Sequence, residues 1–349
     1  MSALIIILLL KLKASSKASP EKVGLLQTPW NLDPIGTLLF IPSIVCLLLA
    51  LKWGGTTNAW NNGRIIALFV LFGVLLIAFV AVQFGMGEKA TVPPRIAKER
   101  TIASSSIFSI LIGGEFILVT YFLPLWFQAI QGVDAWHSGV RIIPTILSFT
   151  IGIILSGGLT TKFGYYMPFV YASVVLTSIG AGLMTTSTPG TSSGKWIGYQ
   201  IIFGLGCGLA FQVPQIAAPA VLPLQDVAQG VSITFFSEIL GGALFASIGA
   251  NVLDNKLVKY IGEMNIPSDD PKVVVQLGAT QLRSYVPPVF VQQTVEAYHR
   301  ALVNTFQIAV VIACLSVFGA AGMEWRNVHF PMAGNETQEE AEAKTQNEV

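Results

Sequence analysis

The chain has 349 residues, of which 53% are hydrophobic and only 11% charged, with a formal net charge of +1. A soluble domain carries about 25% charged residues, so this composition and a mean hydropathy of +0.66 exclude a soluble globular protein, and the near-zero charge leaves no basic field for nucleic acid. Cys46, Cys207 and Cys314 stand singly in apolar runs and His137, His299 and His329 are dispersed, so no disulfide framework, metal centre or cofactor is expected.

Met1 to Leu10 is apolar but half the length of a span, and Lys11, Lys13, Lys17 and Lys22 follow it. A signal peptide carries its positive charge ahead of the apolar core, so the stump of a longer helix is the better reading. A bilayer core about 30 Å thick takes roughly 20 apolar residues per helix. Eight stretches meet that test: Pro34 to Leu51, Ile65 to Phe84, Ile102 to Gln128, Gly139 to Thr160, Met167 to Thr186, Trp196 to Leu222, Val231 to Leu253 and Ala301 to Met323. "KWGGTTNAWNNGR", between the first two, reads as a hairpin turn, with Gly54 and Gly55 permitting the reversal and Trp53 and Trp60 marking a membrane interface. All seven tryptophans fall at expected helix ends, Trp30 and Trp325 on one side and Trp53, Trp60, Trp126, Trp136 and Trp196 on the other. Asp254 to Arg300 is expected as a long outer loop broken by prolines, with pieces such as "VVVQLGATQL" forming short helices. The polar, acidic end, 324–349, reads as a disordered tail.

Orientation follows from the short loops. Lys11, Lys13, Lys17, Lys22, Lys89, Arg95, Lys98, Arg100 and Lys162 fall on one side, and Lys52, Arg64 and Lys195 on the other. The basic-rich side is cytoplasmic by this rule, and both chain ends face it.

Two acids carry the most weight, because a charge at the bilayer centre is costly and an ionisable group there suits reversible protonation. Glu115, in "LIGGEFILV", lies mid-way along the third span, and Glu238, in "FFSEILGG", mid-way along the seventh. The competing reading of each is a protonated carboxyl hydrogen-bonded inside the bundle. In the sixth span Gly204, Gly206 and Gly208 lie among Gln200, Gln212 and Gln215, so close helix packing and uncharged hydrogen-bond groups share one segment. Its "GLGCG" follows no strand and is not a dinucleotide fingerprint. Between the fourth and fifth spans, in "GGLTTKFGYY", Gly157 and Gly158 are expected to allow close helix approach, Gly164 to permit a tight reversal and Lys162 to supply a charge.

Taken together, "LDPIGTLLFIPSIVCLLLALKWGG", "NAWNNGRI", "YFLPLWFQAIQG", "SGVRIIP", "KWIGYQIIFGLGCGLAFQVPQ" and "ILGGALFASIGANVL" resemble the fungal fourteen-helix drug:proton antiporters of the major facilitator superfamily, over about residues 30 to 328. The resemblance implies an all-α membrane protein, with a C-terminal six-helix bundle and two linker transmembrane helices. Residues 1–33 are then a stump and cytoplasmic loop, 34–100 the linker hairpin with an inner loop, and 101–323 the bundle with its outer loop 254–300. The N-terminal bundle would be missing. "GGLTTKFGYY" resembles the superfamily's inner-gate motif at Gly157, Lys162 and Gly164, but Thr161 stands where its acid belongs and Tyr165 and Tyr166 replace its basic pair. The first helix of each three-helix repeat is implied to line the pathway. These are the third and sixth spans, which both carry Phe-Gln near a proline: Phe127-Gln128 with Pro124, and Phe211-Gln212 with Pro214.

The function implied is secondary transport of small amphiphilic drugs, toxins or secondary metabolites, driven by protons. Glu115, Glu238, Gln128, Gln200 and Gln212 are the pathway or coupling candidates, and Phe235 and Phe245 its apolar walls. No phosphate-binding loop for ATP drive occurs, nor does a nucleophile dyad or metal cluster that would make the chain an enzyme. The alternative is a non-transporting membrane protein, inert or partner-binding, that would pair with the missing bundle. The plasma membrane is favoured over the vacuolar membrane. A cysteine at Thr57 is expected to react with an impermeant thiol reagent in intact cells and one at Thr91 to stay unlabelled; the reverse pattern would invert the orientation.

Overall fold

The computed structural model describes residues 33–263 and 287–328. Its helices are α1 (Pro34–Trp53), α2 (Gly63–Met86), α3 (Pro94–Ala97), α4 (Arg100–Gln131), α5 (Ala135–Val140), α6 (Ile143–Phe163), α7 (Met167–Thr185), α8 (Ser193–Ala210), α9 (Val213–Val221), α10 (Leu224–Gly262) and α11 (Pro288–Gly322). Eight helical stretches are long and apolar enough to cross a bilayer, with α5–α6 and α8–α9 each counting as one. The N-terminal apolar run, "VVVQLGATQL" and the acidic tail lie outside the described residues.

Two spans are interrupted where the sequence pattern reads as continuous. The breaks at Arg141–Ile142 and Phe211–Gln212 each come just ahead of a proline in the first turn of the next helix, Pro144 and Pro214. Proline has no N–H to donate and clashes with the carbonyl four residues back, so the chain restarts its helix there.

The long outer loop expected over 254–300 is also corrected. α10 runs on to Gly262 and α11 begins at Pro288, well before Ala301. Their polar outer turns stay helical because one face still packs, through Leu257, Ile261, Ala297 and Tyr298. Lys259–Glu263 at 3.9 Å and Arg300–Glu296 at 3.2 Å, each four residues apart, add local support. Mean hydropathy clips such amphipathic ends; helical packing does not.

The six later spans pack in a pattern that repeats. α4 lies along α10 and α11; α8 lies along α6 and α7; and α7 meets α11. Exchanging α4 with α8, α6 with α10 and α7 with α11 reproduces these pairs, although α10 also packs on α11 without a comparable α6–α7 contact; the bundle is thus two three-helix repeats whose first helices are its most covered spans. Both repeat contacts are crossings of bare backbone. A Cβ on Gly113 or Gly241 would strike the carbonyl oxygen of Glu238 or Ile110 across the α4–α10 contact, and one on Gly152 or Gly208 that of Leu205 or Phe149 across α6–α8. In lipid, where helices gain nothing by hiding apolar surface from one another, such close contact supplies the van der Waals attraction.

α1 and α2 form a hairpin beside this bundle that touches it chiefly through α1 and α10, with almost all of α2 left uncovered. Polar side chains pin it at both ends. At the turn, Asn251 Nδ2 donates to the carbonyls of Leu51 at 2.5 Å and Gly54 at 2.6 Å. Gly55 there has φ 77°, and a Cβ on it would run into the Asn255 amide and the Trp60 indole. At the opposite end, Asp33 caps α1 by accepting from Gly36 N at 2.7 Å and also accepts from Gln83 Nε2 at 2.6 Å, Thr91 N at 3.2 Å and Thr91 Oγ1 at 3.0 Å. Burial alone would push its carboxyl up, but these donors outweigh that and hold it below the usual range. Arg95 then grips Asp226 at the start of α10 through two bonds of 2.8 and 2.9 Å and pairs with Glu88. The carboxylates of Asp226 and Glu88 push its guanidinium still further toward the charged form.

The crossings make a stability prediction. Gly241→Ala is expected to cost about 1–3 kcal/mol, since its methyl meets a fixed carbonyl. Gly73→Ala, where a Cβ meets nothing within 4 Å, should be neutral or slightly stabilising. Thermal unfolding of the two variants in one detergent would separate them, and equal midpoints would show that the crossing can relax.

Candidate functional site

The stretch "GGEF", Gly113 to Phe116, lies mid-way along α4, and its four side-chain directions meet four different surroundings. Gly113 faces the Glu238 backbone, and Gly114 lies under the ring of Phe245 on α10. Glu115 points to Cys207 on α8, whose Sγ lies 3.7 Å from Oε1. Phe116 stacks on Phe149 of α6, with centroids 4.3 Å apart, and meets Phe211 edge-on at 5.4 Å. Successive residues of a helix turn by about 100°, which is why a close crossing, a buried acid and an aromatic contact all fit within one turn.

The two acids therefore do not share a cavity. Glu115 is 1% exposed, and its Oε2 has no hydrogen-bond partner among the described residues. Glu238 accepts from Gln215 Nε2 of α9 at 2.9 Å, while Gln215 Oε1 is buried without a partner. Because Glu115 lies two residues beyond Gly113, its side chain leaves α4 on nearly the opposite side from Glu238. A cavity of about 410 Å³ beside the hairpin is lined by Phe40, Phe79 and Phe236 and by neither acid.

The glutamines divide similarly. Gln200 is buried and accepts from Thr145 Oγ1 at 2.8 Å, with its Nε2 unpartnered. Gln128 donates to Ser138 Oγ at 2.9 Å near the turn end of the bundle. Gln212 is exposed at the α8–α9 break, so the amide that meets Glu238 is Gln215, three residues on. Phe245 packs over Gly114, whereas Phe235, one turn before Glu238 on α10, is 53% exposed.

At the α6–α7 turn, the close helix approach expected at Gly157 and Gly158 is corrected: a Cβ on either meets nothing within 4 Å. Gly164 does make the reversal, with φ 77°. What holds the turn is the segment after α11. Val328 N donates to the Gly164 carbonyl at 2.8 Å, and Tyr166 Oη donates to the Glu324 carbonyl at 2.5 Å. Burial of Tyr166 and the nearby Glu324 charge push its phenol up to about 12. Lys162 lies over the Phe163 ring at 5.7 Å, and the ion pair beside this turn is Arg326 with Glu324 at 2.7 Å. Trp126 is likewise no interface marker: it is 1% exposed and donates from Nε1 to His299 Nδ1 at 3.3 Å.

One face shared by α4, α6 and α8 has a distinct character. Phe116, Phe149 and Phe211 form a mutually touching trio, the last pair at 4.9 Å, and each is only partly covered. Eleven residues further along α4, three turns or about 16 Å, Phe127 meets Trp196 of α8 at 5.0 Å on the same side of the helix. Arg141, at the α5–α6 break, places its guanidinium over both rings, 5.6 Å from Phe127 and 5.9 Å from Trp196, and donates to Gln131 Oε1. An uncharged aromatic column with exposed Gln212 near one end and a cation at the other can hold an amphiphile by its flat apolar body and its polar tip. Sequence reading missed Phe116, Phe149, Arg141 and the role of Gln215. Arg141 had a usable signal, since an arginine inside "SGVRIIP" has no acid within a helical turn on either side.

A six-helix bundle of two repeats with a two-helix hairpin defines the chain as a multi-span helical membrane protein. No family model matches the chain. Its sequence is 56% identical over 299 residues to the MFS-type efflux pump MFS1 of Arthroderma benhamiae, covering 85% of this chain and 55% of that protein. It is 45% identical over 317 residues to the efflux pump roqT of Penicillium rubens, covering 91% and 58%. With the efflux pump aflT of Aspergillus parasiticus it shares 43% over 327 residues, covering 94% and 63%. Among solved structures, a bacterial homologue of the human lysosomal transporter Spinster, inward-facing and occupied, aligns with a TM-score of 0.49 and 16% identity, over 75% of this chain and 58% of that one. Over most of its own length the chain is thus similar to fungal MFS-type efflux pumps. It spans little more than half the length of these relatives.

The Glu238–Gln215 bond generates a prediction. Gln215→Leu leaves a buried carboxyl without its donor and is expected to cost about 1–3 kcal/mol. Gln215→Leu with Glu238→Leu should cost less than the two single changes added together, as read from unfolding midpoints. Simple additivity would show that the bond contributes nothing.

Proposed function

We propose that the chain forms part of a proton-coupled exporter of small amphiphilic molecules, with the α4–α6–α8 face as one wall of its pathway. The observation that carries this reading is the partly covered trio Phe116, Phe149 and Phe211, with the buried Phe127 against the partly covered Trp196 about 16 Å along the same side of α4, in a chain 56% identical to an efflux pump. Rings offer a broad, weakly selective surface, which suits cargo that varies in shape but shares an apolar body.

Glu115 and Glu238 supply the coupling in this proposal. Each stands at mid-span without an opposing cation among the described residues, so each can take up and lose a proton without breaking an ion pair. Both lie next to the aromatic wall in sequence or through the α4–α10 crossing. A change at either acid thus has a short mechanical route to the face, Glu115 through Phe116 and Glu238 through Gly113. Gln200 and Gln128 offer amide groups within the same two repeats, and Gln212 lies exposed beside Phe211. The plasma membrane is the proposed location, consistent with export out of the cell.

The test is efflux of carboxyfluorescein, a planar aromatic anion loaded as its diacetate ester, from fungal cells expressing the longest reading frame that contains this chain, measured at external pH 5 and pH 8. Glu115→Gln and Glu238→Gln, made separately and checked for surface expression, are expected to flatten the pH dependence, and Phe116→Ala to lower the rate several-fold. Normal pH dependence in both acid variants would reduce Glu115 and Glu238 to packing groups. Efflux no greater than in cells carrying empty vector would remove the transport reading.

A further inference from the structure

We infer that the turn end of the α4–α6–α8 face is a receptor for the anionic end of a planar aromatic ligand, with Arg141 as its charge and Phe127 and Trp196 as its flanking rings. This names the substrate class of the pathway proposed above and rests on that reading of the face.

The inference starts from where Arg141 has no acid. Arg95, Arg300 and Arg326 each face a carboxylate, at 2.8, 3.2 and 2.7 Å. Arg141 instead faces two rings and an amide, and among the described residues it forms no ion pair. The nearest acid in sequence, Asp134, is engaged elsewhere: it accepts from the backbone N of His137 at 2.9 Å and lies 2.5 Å from that residue's Nδ1. These bonds hold the Asp134 carboxyl below its usual range. A guanidinium has five donor hydrogens, and Gln131 accounts for one contact, so an arginine that is partly covered here keeps most of its donors unused.

The surroundings decide what could use them. Phe127 is fully buried and Trp196 only partly covered, so the arginine is held in place from one side and left approachable from the other. Rings beneath a guanidinium fix its plane without consuming its hydrogen-bond edge. A carboxylate or phenolate fits that edge, two oxygens of a carboxylate matching two N–H groups in parallel. The same two rings favour a flat aromatic body attached to that anion. A cationic amphiphile would meet repulsion at the same point, so the site selects by sign as well as by shape.

The chain itself can be tested, apart from any transport. Purified chain in nanodiscs of zwitterionic lipid would be equilibrated with radiolabelled 2-naphthoate, methyl 2-naphthoate or 2-naphthylmethylammonium, with binding to empty discs subtracted. Saturable naphthoate binding is expected, about tenfold or more tighter than either of the other two, as a charge-assisted pair implies. Arg141→Gln should lose about tenfold or more, and Arg141→Lys, which keeps the charge and loses the fork, should fall between. Naphthoate binding unchanged in Arg141→Gln, or equal binding of the ester and the ammonium compound, would overturn the inference. If Arg141→Gln fails to fold by circular dichroism, the three-ligand series on the unaltered chain decides. Naphthoate binding without carboxyfluorescein efflux would count against the transport reading alone; efflux without charge-selective binding would count against this receptor alone.

Discussion

The contact on which this structure depends is the crossing of bare backbones at Gly113 and Gly241, and its counterpart at Gly152 and Gly208. Each brings a carbonyl oxygen of one helix to where a side chain would stand on the other. Because the helices sit so close, the residues flanking the crossing have little freedom, and Glu115 and Phe116 are directed to α8 and to the aromatic face by the geometry of α4 alone. The same approach, repeated between α6 and α8, sets Phe149 against Phe116 and Phe211. The aromatic wall is thus a consequence of glycine packing, and larger residues at the crossings would spread its three rings apart.

The hairpin follows a different rule. It has no such crossing with the bundle, and its middle contact with α10 is through phenylalanines, Phe40 meeting Phe236 at 5.3 Å. Specific attachment comes only from polar groups at the two ends, Asn251 on the turn and Arg95 with Asp226 opposite. This division follows the solvent. Hydrogen bonds and ion pairs at the ends lie where polar groups can be hydrated, whereas the middle must present hydrocarbon to hydrocarbon. Asp33, with four donors, ties the α1 start to the α2 end through contacts that do not involve the bundle.

Buried polarity within the bundle is unevenly satisfied. Glu238 has Gln215, Gln200 has Thr145, and Trp126 has His299, whereas Glu115 Oε2, Gln200 Nε2 and Gln215 Oε1 have no partner among the described residues. Buried polar groups in folded proteins are generally paired, by protein or by water. With Ser105, Ser106 and Ser109 of α4 and Thr160 of α6, the groups left open among the described residues lie on α4, α6, α8 and α9.

Eight spans, their order and the kinship with fungal carriers were legible from the sequence, because bilayer thickness imposes a length of apolar chain that no tertiary contact can disguise. The turn at Gly54–Gly55 was legible for the same kind of local reason, as was the mid-span position of Glu115 and Glu238. What lay beyond the sequence was direction. Hydropathy places a residue at a depth but not at an angle, and angle is decided by which helix lies alongside. Hence the two acids, equal in depth, part to opposite sides of α4; Gly157 and Gly158, alike in sequence to packing glycines, face open space; and Trp126, placed like an interface residue, is buried against His299. The helical extensions to Gly262 and from Pro288, and the joining of Arg141 with Phe127 and Trp196 from three separate segments, were likewise settled only by tertiary packing, since the energy that holds them comes from neighbours distant in the chain.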